Sequence, residues 1–161
     1  MSVFYVFYLA SDNVLDFKQI KKSVIETAPT VPSDVAKGRP QITEDTDELL
    51  NIWCEYFSLR VKNGGQHVKF RSEDYGMKFD YQFWFDVYTI TPNWLEEMLS
   101  FVGKLVKAYS GDCVLESNGD TPIVMRKDGV ITVDDKKLNG TQKFPFDVLG
   151  LKYQEGDLIQ V

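Results

Sequence analysis

The residue types that most often carry catalysis are few in this sequence and form no known catalytic pattern. His67 is the single histidine and no serine lies in a GxSxG elbow, so a hydrolase triad would lack its usual marks. Gly64 and Gly65 precede His67 without the GxxxxGK[ST] or GxGxxG pattern of a phosphate-binding loop. We interpret His67 as a surface hairpin residue, and we expect no catalytic residue and no enzyme activity.

The cysteines and paired carboxylates do not indicate a metal or cofactor site. Cys54 and Cys113 stand in separate halves of the chain, outside any CxxC or Cys/His spacing. We expect both to be reduced and buried, with a single disulfide in a secreted protein as the alternative. Asp134 and Asp135 could in principle do acid–base work, but 24 acidic residues make chance neighbours common. No metal and no cofactor are predicted.

Composition and charge limit the class of partner. The chain has 161 residues, 43% hydrophobic and 14% aromatic, which is typical of a globular protein with its own core. We expect a single domain over residues 1–161, with a loop at 28–40 and a C-terminal arm at 134–161. The formal net charge is −6, whereas nucleic-acid binding depends on clustered lysine and arginine. A basic protein partner is therefore favoured and nucleic acid is not expected.

The N-terminal segment does not resemble an export signal. It reads MSVFYVFYLA and has no positively charged residue before its short apolar run. No other run approaches the ~20 apolar residues that span a membrane. We therefore expect a cytoplasmic protein that does not contact a membrane.

An acidic segment is the first candidate binding surface. It reads ITEDTDELLN, and no basic residue interrupts its four carboxylates, Glu44, Asp45, Asp47 and Glu48. The segment is either a solvated acidic turn or a patch that binds a basic partner. A cation site is a third alternative, although the spacing does not match the calcium loop.

Two aromatic residues on a predicted strand are the second candidate. Residues 77–88 alternate between an apolar face and a polar face, which predicts a strand with one side on the core. Trp84 and Tyr88 fall on the polar face. They either lie under a loop or are exposed aromatic anchors for a partner, a residue type enriched in binding hot spots.

The remaining pattern predicts an α+β fold, in which two main helices pack on a mostly antiparallel twisted sheet. Residues 3–9 predict a buried strand, and Ser11 or Asp12 could cap a helix that ends near Thr27. The Gly-rich turn at 63–65 predicts a strand reversal into residues 67–71. Thr91 as N-cap and Pro92 as first helical residue predict the second helix, which stops at Gly111.

Two hairpins follow the second helix. Asn118-Gly119 and Asp128-Gly129 separate three short predicted strands, because these residues tolerate positive φ angles. The arm that follows carries apolar residues that could pack back on the domain; they are Phe144, Phe146, Leu149, Leu151 and Tyr153.

Residues 83–133 resemble the Sit-type immunity proteins of bacterial toxin systems. The resemblance lies in the aromatic strand FWFDVY, the helix after it and the hairpins in GDCVLESNGDTPIVMRKDGVITV. It is carried by Phe83, Phe85, Gly111, Asp112, Asn118, Gly119, Asp120, Arg126, Asp128 and Gly129. The family has no catalytic residue to transfer.

The resemblance implies a protein that binds a cognate toxin or effector domain and blocks its active site or substrate access. A basic toxin would suit the acidic surface. The expected contacts are Glu44, Asp45, Asp47, Glu48, Trp84 and Tyr88. The alternative is a ligand-binding or structural adaptor module without catalytic activity.

Overall fold

A single mixed sheet organises the fold. The structure, a computed structural model, describes residues 3–11, 16–29, 40–134 and 144–158. Its nine strands are β1 (Phe4–Leu9), β2 (Gln41–Asp45), β3 (Leu49–Trp53), β4 (Phe57–Asn63), β5 (Tyr81–Val87), β6 (Cys113–Ser117), β7 (Thr121–Lys127), β8 (Val130–Val133) and β9 (Gln154–Glu155). Their spatial order is β2-β3-β4-β5-β1-β6-β7-β8-β9, and every pair is antiparallel except β8 with β9. The predicted α+β class and antiparallel sheet are confirmed.

The central strand, β1, is buried on both faces. It pairs with β5 on one side and β6 on the other, so the N-terminal strand joins the two halves of the sheet. Tyr5, Phe7 and Leu9 point into the main core, while Val6 and Tyr8 point into a second cluster on the opposite face. The uninterrupted apolar run at residues 3–9 follows from this two-sided burial.

Two helices cover the main face, as the sequence predicted. Helix α1 (Phe17–Thr27) begins later than expected, because Asp16 forms the capping box with Gln19. Phe17, Ile20 and Val24 form its buried stripe. The predicted cap at Ser11 or Asp12 is therefore wrong in position, and residues 12–15 lie outside the described part of the chain.

The second of these helices, α3 (Trp94–Ala108), carries the larger share of the core. Its N-cap is Asn93, in the left-handed region at φ 65°, and not the predicted Thr91. Glu96 and Glu97 occupy the first turn and Lys107 the last, which complements the helix dipole. The 3₁₀ helix Phe146–Leu149 packs against α3, and its Phe146 and Leu149 are buried, so this part of the arm does pack back on the domain.

A third helix, α2 (Gln66–Tyr75), replaces the strand predicted at residues 67–71. Gly64 and Gly65 do adopt positive φ angles, but the chain leaves them as a helix. The prediction was wrong because only Val68 and Tyr75 of α2 are buried, so no apolar stripe marks the helix in the sequence. Phe70, expected to share a face with Val68, is 49% exposed.

Helix α2 covers only part of the second face. Val68 and Tyr75 pack on the β1 and β6 side, against a cluster that contains Val6, Tyr8 and Val114. Met77 and Phe79, predicted to lie on the apolar face of a strand over residues 77–88, precede β5 and also lie in this cluster. The apolar residues of β5 itself lie in the main core; they are Tyr81, Phe83, Phe85 and Val87. Helix α2 also touches β5, whereas no helix among the described residues covers β2, β3 or β4 on this face.

The two cysteines are free and buried, as predicted. Burial raises the pKa of both Cys54 and Cys113 from 9.0 to about 11. The thiolate is the reactive form, so at pH 8 we expect each thiol to react with a disulfide reagent about a hundredfold more slowly in the folded than in the unfolded protein.

The same shift predicts an alkaline loss of stability. A raised folded-state pKa means that the folded protein holds a proton that the unfolded chain releases above pH 9, so this contribution is complete below pH 9 and is lost towards pH 11. The free energy of unfolding, measured with urea between pH 8 and pH 11, should fall by at most about 1.4 kcal/mol per pH unit and per thiol. A free energy of unfolding that stays constant between pH 9 and pH 11 would contradict this expectation.

Candidate functional site

An open groove of about 590 Å³ lies on the second face of the sheet, beside the area that α2 covers. Strands β3, β4 and β5 form it, together with one residue of β2 and one that follows β5. The lining residues are Thr43, Asn51, Ile52, Trp53, Ser58, Leu59, Arg60, Trp84, Asp86 and Tyr88. Two indoles, a phenol, a guanidinium and a carboxylate thus share one surface.

A bulge in β2 supplies the polar edge of this groove. The register shifts between Ile42 and Glu44, so Thr43 and Glu44 both stand opposite Asn51. The Asn51 carbonyl accepts a bond from Thr43 Oγ1 at 3.2 Å, and Asn51 Nδ2 donates to Glu44 Oε1 at 2.9 Å. Two consecutive residues of one strand therefore engage the same groove residue.

Asn51 also connects the acidic edge to Arg60 on β4. Arg60 Nε donates to Asn51 Oδ1 at 3.3 Å, and in the register Arg60 stands opposite both Asn51 and Trp84. The two terminal nitrogens of Arg60 have no hydrogen-bond acceptor among the described residues. These contacts form a cross-strand row of four groups, which are the Glu44 carboxylate, the Asn51 amide, the Arg60 guanidinium and the Trp84 indole. The guanidinium is open to a ligand.

Trp84, on β5, forms an aromatic wall of the groove and is held in place by Phe4 and Asp86. The Trp84 ring stacks on Phe4, with centroids 4.6 Å apart and planes 6° from parallel, and Trp84 Nε1 donates to Asp86 Oδ1 at 3.3 Å. Trp84 is half-buried and lines the groove, so it lies against β1 and faces the groove as well. A wall fixed in this way loses little side-chain entropy on binding.

Tyr88 closes the end of the groove. Its backbone N–H donates to the Tyr56 carbonyl at 2.9 Å, which ties the segment after β5 to the turn between β3 and β4. Burial raises the pKa of Tyr88, and a hydrogen bond with Ser58 opposes that rise. The phenol therefore remains protonated at neutral pH and can act as a hydrogen-bond donor or acceptor.

Three of the six predicted contact residues meet at this groove, and three do not. Trp84 and Tyr88 line it, and Glu44 reaches it through Asn51. Asp45 stands opposite Leu50, a core residue, and forms an ion pair of 2.7 Å with Lys21 of α1. Asp47 and Glu48 are exposed in the turn between β2 and β3. The acidic segment therefore divides between the two faces of the sheet and the turn at its end.

The ion pair of Asp45 should matter little to stability. The Asp45 side chain is 47% exposed, and exposed pairs of this kind contribute about 1 kcal/mol or less. We expect Asp45→Asn to lower the free energy of unfolding by no more than that, measured by urea unfolding at low and high salt. A loss of several kcal/mol would show that Lys21 holds β2 to α1.

Eight of the ten lining residues were not singled out from the sequence, among them Asn51, Trp53, Arg60 and Asp86. A signal did exist for Arg60 and Asp86, because the alternation in their strands places both on the polar face. Asn51 and Trp53 alternate with the buried Leu50 and Ile52 in the same way. The alternation could not predict how β3, β4 and β5 pair, and it is this pairing that brings their polar faces together.

The family comparison covers the whole of this site. The model of the SitI3-like family matches residues 3–139, which is most of the chain and includes all four strands of the groove. The chain belongs to the SitI3-like family. The resemblance to Sit-type immunity proteins at residues 83–133 is thereby confirmed and extended towards the N-terminus. Comparison with curated proteins and with solved structures gave no match.

Two features are absent from the described residues of this SitI3-like protein. No helix among them is long and apolar enough to cross a membrane. Within the same ranges, no three His, Cys, Asp or Glu side chains come together in an arrangement that could hold a metal ion.

Proposed function

We propose that this protein is an immunity protein that binds a cognate bacterial toxin or effector domain and covers its active site or the path of its substrate. The observation that carries the proposal is the match of the SitI3-like family to residues 3–139. In this proposal the protein acts by binding alone, in the cytoplasm, and takes part in competition between bacteria.

The groove supports a binding role. Its walls are half-buried aromatic side chains held by neighbours, and tryptophan, tyrosine and arginine are the residue types most enriched in binding hot spots. The terminal nitrogens of Arg60, which have no acceptor among the described residues, could be satisfied by a partner. We therefore place the toxin on the open half of the sheet, with Trp84 and Tyr88 among its contacts.

The acidic charge supports a basic partner. The chain has a formal net charge of −6, and complementary charge accelerates association and disfavours wrong partners. Glu44 lies at the edge of the groove, and Asp45, Asp47 and Glu48 follow it along β2 and its turn. We propose all four as contacts of the toxin, with Asp45 the least available because Lys21 already binds it.

The proposal is tested by expressing the toxin domain encoded beside this gene, with and without the protein. We expect cells to survive only when both are present, and the purified pair to elute as one complex. Equal killing in both cases would refute the proposal. Replacing the four acidic residues with lysine should weaken the complex and flatten its salt dependence.

A second function, a ligand-binding or adaptor module, is favoured by one observation. The groove volume of about 590 Å³ falls in the range of small-molecule sites. Native mass spectrometry of the purified protein distinguishes the two functions. A retained small molecule that is lost in Trp53→Ala, together with no complex with the toxin, would favour the ligand-binding module.

A further inference from the structure

The groove has the geometry of a slot for one long side chain. Ser58, on β4, is the small residue between Trp53 on β3 and Asp86 on β5, and the register places these three residues in one cross-strand row. Two strand spacings separate β3 from β5, so the backbones of these two strands run about 10 Å apart. Trp53 stands on one side of Ser58 and Asp86 on the other, and Trp84 lies beside Asp86 on β5, in the next row.

The charges of the slot differ between its two ends. Arg60 lies in the row of Trp84, whereas Asp86 lies one row further, towards Tyr88. Asp86 Oδ1 accepts the Trp84 indole N–H, and no described residue donates to Asp86 Oδ2. No lysine or arginine occurs at residues 53–59 or 84–97, the segments that contain Trp53, Ser58 and Asp86. A cation entering the slot is repelled from the Arg60 end and attracted to Asp86.

From this geometry we infer that the slot binds a lysine or arginine side chain of the toxin, with the cation against the Asp86 carboxylate and beside the Trp53 ring, and with Trp84 next to it on the side of Arg60. The inference rests on the proposed function and names the point of contact. Cations bind favourably over indole faces, most strongly when they are desolvated. The opposed carboxylate adds a charge-assisted hydrogen bond.

The position of Ile90 fits a partner that continues past this end of the slot. Ile90 is 95% exposed in the turn that follows Tyr88, where the Thr91 N–H donates to the Tyr88 carbonyl at 2.9 Å. A basic segment seated at Asp86 would pass beside Ile90 and bury it.

The test uses the purified toxin domain in a catalytically inactive form and measures its Kd for the wild-type protein and for variants. Asp86→Lys and Trp53→Ala should each raise the Kd by about tenfold or more, as expected of hot-spot residues. The matched control is Glu155→Lys, the same charge reversal at the exposed edge strand β9, which should stay within about threefold because it is distant from the slot.

The tryptophan signals provide a second readout that does not depend on variants. The three indole N–H signals of the free protein belong to Trp53, Trp84 and Trp94, and Trp94 packs near Tyr5 on the main face. Adding the toxin domain should shift the signals of Trp53 and Trp84 and leave that of Trp94. Circular dichroism of each variant verifies that it is folded.

The outcomes separate this inference from the proposed function. Tight binding by the wild type together with unchanged Kd values for Asp86→Lys and Trp53→Ala would overturn the slot and leave the immunity function in place. An equal loss in Glu155→Lys would also overturn it, since net charge alone would then explain the effect. A toxin domain that does not bind the wild type overturns both.

Discussion

Replacing Arg126 with alanine is expected to lower the free energy of unfolding by about 3 kcal/mol or more. Arg126, on β7, is 7% exposed and donates hydrogen bonds to the carbonyls of Val106, Tyr109 and Gly111. These carbonyls lie in and just after the last turn of α3, where no further helical N–H can reach them. Alanine leaves them unpaired, and each unpaired buried group costs about 1–3 kcal/mol.

Thermal unfolding measures this loss directly. At about 2–4 °C per kcal/mol for a chain of this size, the melting temperature should fall by roughly 10 °C. Arg60→Ala is the matched control, because Arg60 is exposed and should change stability by only about 0.5 kcal/mol. Similar melting temperatures for the two variants would mean that water satisfies the α3 carbonyls and that Arg126 is not a structural cap.

Where a signal is local, the sequence predicted the structure well. Asn118-Gly119 and Asp128-Gly129 all have positive φ angles, as tight hairpin turns require, and both hairpins were predicted. Helix α3 was predicted from its apolar stripe, although its start was misplaced by the Thr91-Pro92 pair. The C-terminal end of α3 could not be predicted in this way. It is capped by Arg126, which lies 20 residues after Val106 in the sequence, and no local pattern spans that distance.

The groove could be predicted only in part. Alternation in β5 placed Trp84 and Tyr88 on the polar face, and both line the groove. The acidic segment was treated as one surface, but the β2 bulge turns Glu44 towards Asn51 while Asp45 bonds Lys21 on the other face. One inserted residue reverses the alternation of a strand, and the sequence does not mark the bulge.

The shape of the site also depends on which part of the sheet α2 covers. Because α2 packs on the side of β1 and β6 and reaches no further than β5, it leaves β3, β4 and the groove-lining side of β5 open. Polar contacts hold α2 on the sheet beside the buried Val68 and Tyr75. Because no apolar stripe marks the helix, the sequence pattern predicted a strand there. The proposed binding surface therefore depends on a small buried network under α2.

The centre of that network is Glu116, a fully buried carboxylate on β6. It accepts hydrogen bonds from Arg71 Nε at 3.0 Å and from the Tyr75 hydroxyl at 2.5 Å, so both partners belong to α2. Burial and the contact with Glu116 raise the pKa of Tyr75, so the phenol stays protonated and keeps donating. Glu116 thus joins α2 to the sheet through charge.

We expect Glu116→Ala to destabilise the protein by about 3–5 kcal/mol, the usual cost of removing one member of a buried ion pair. Arg71 retains Asp74 and the Gly119 carbonyl, but the Tyr75 hydroxyl loses the Glu116 carboxylate in a buried position. Urea unfolding gives the total loss, and hydrogen exchange of the α2 amides tests whether this helix opens first. Asp74→Asn, which removes the more exposed partner of Arg71, should cost about 1 kcal/mol or less.

A double-mutant cycle with Tyr75→Phe separates the hydroxyl bond from the ion pair. If the two groups act together, the loss in Glu116→Ala/Tyr75→Phe should be smaller than the sum of the single losses by about 0.5–3 kcal/mol. Additive losses would mean that the Tyr75 hydroxyl is satisfied elsewhere. Because α2 borders the groove through the cluster that includes Trp84, a variant with an open α2 should also bind the toxin more weakly than its residual folded fraction predicts.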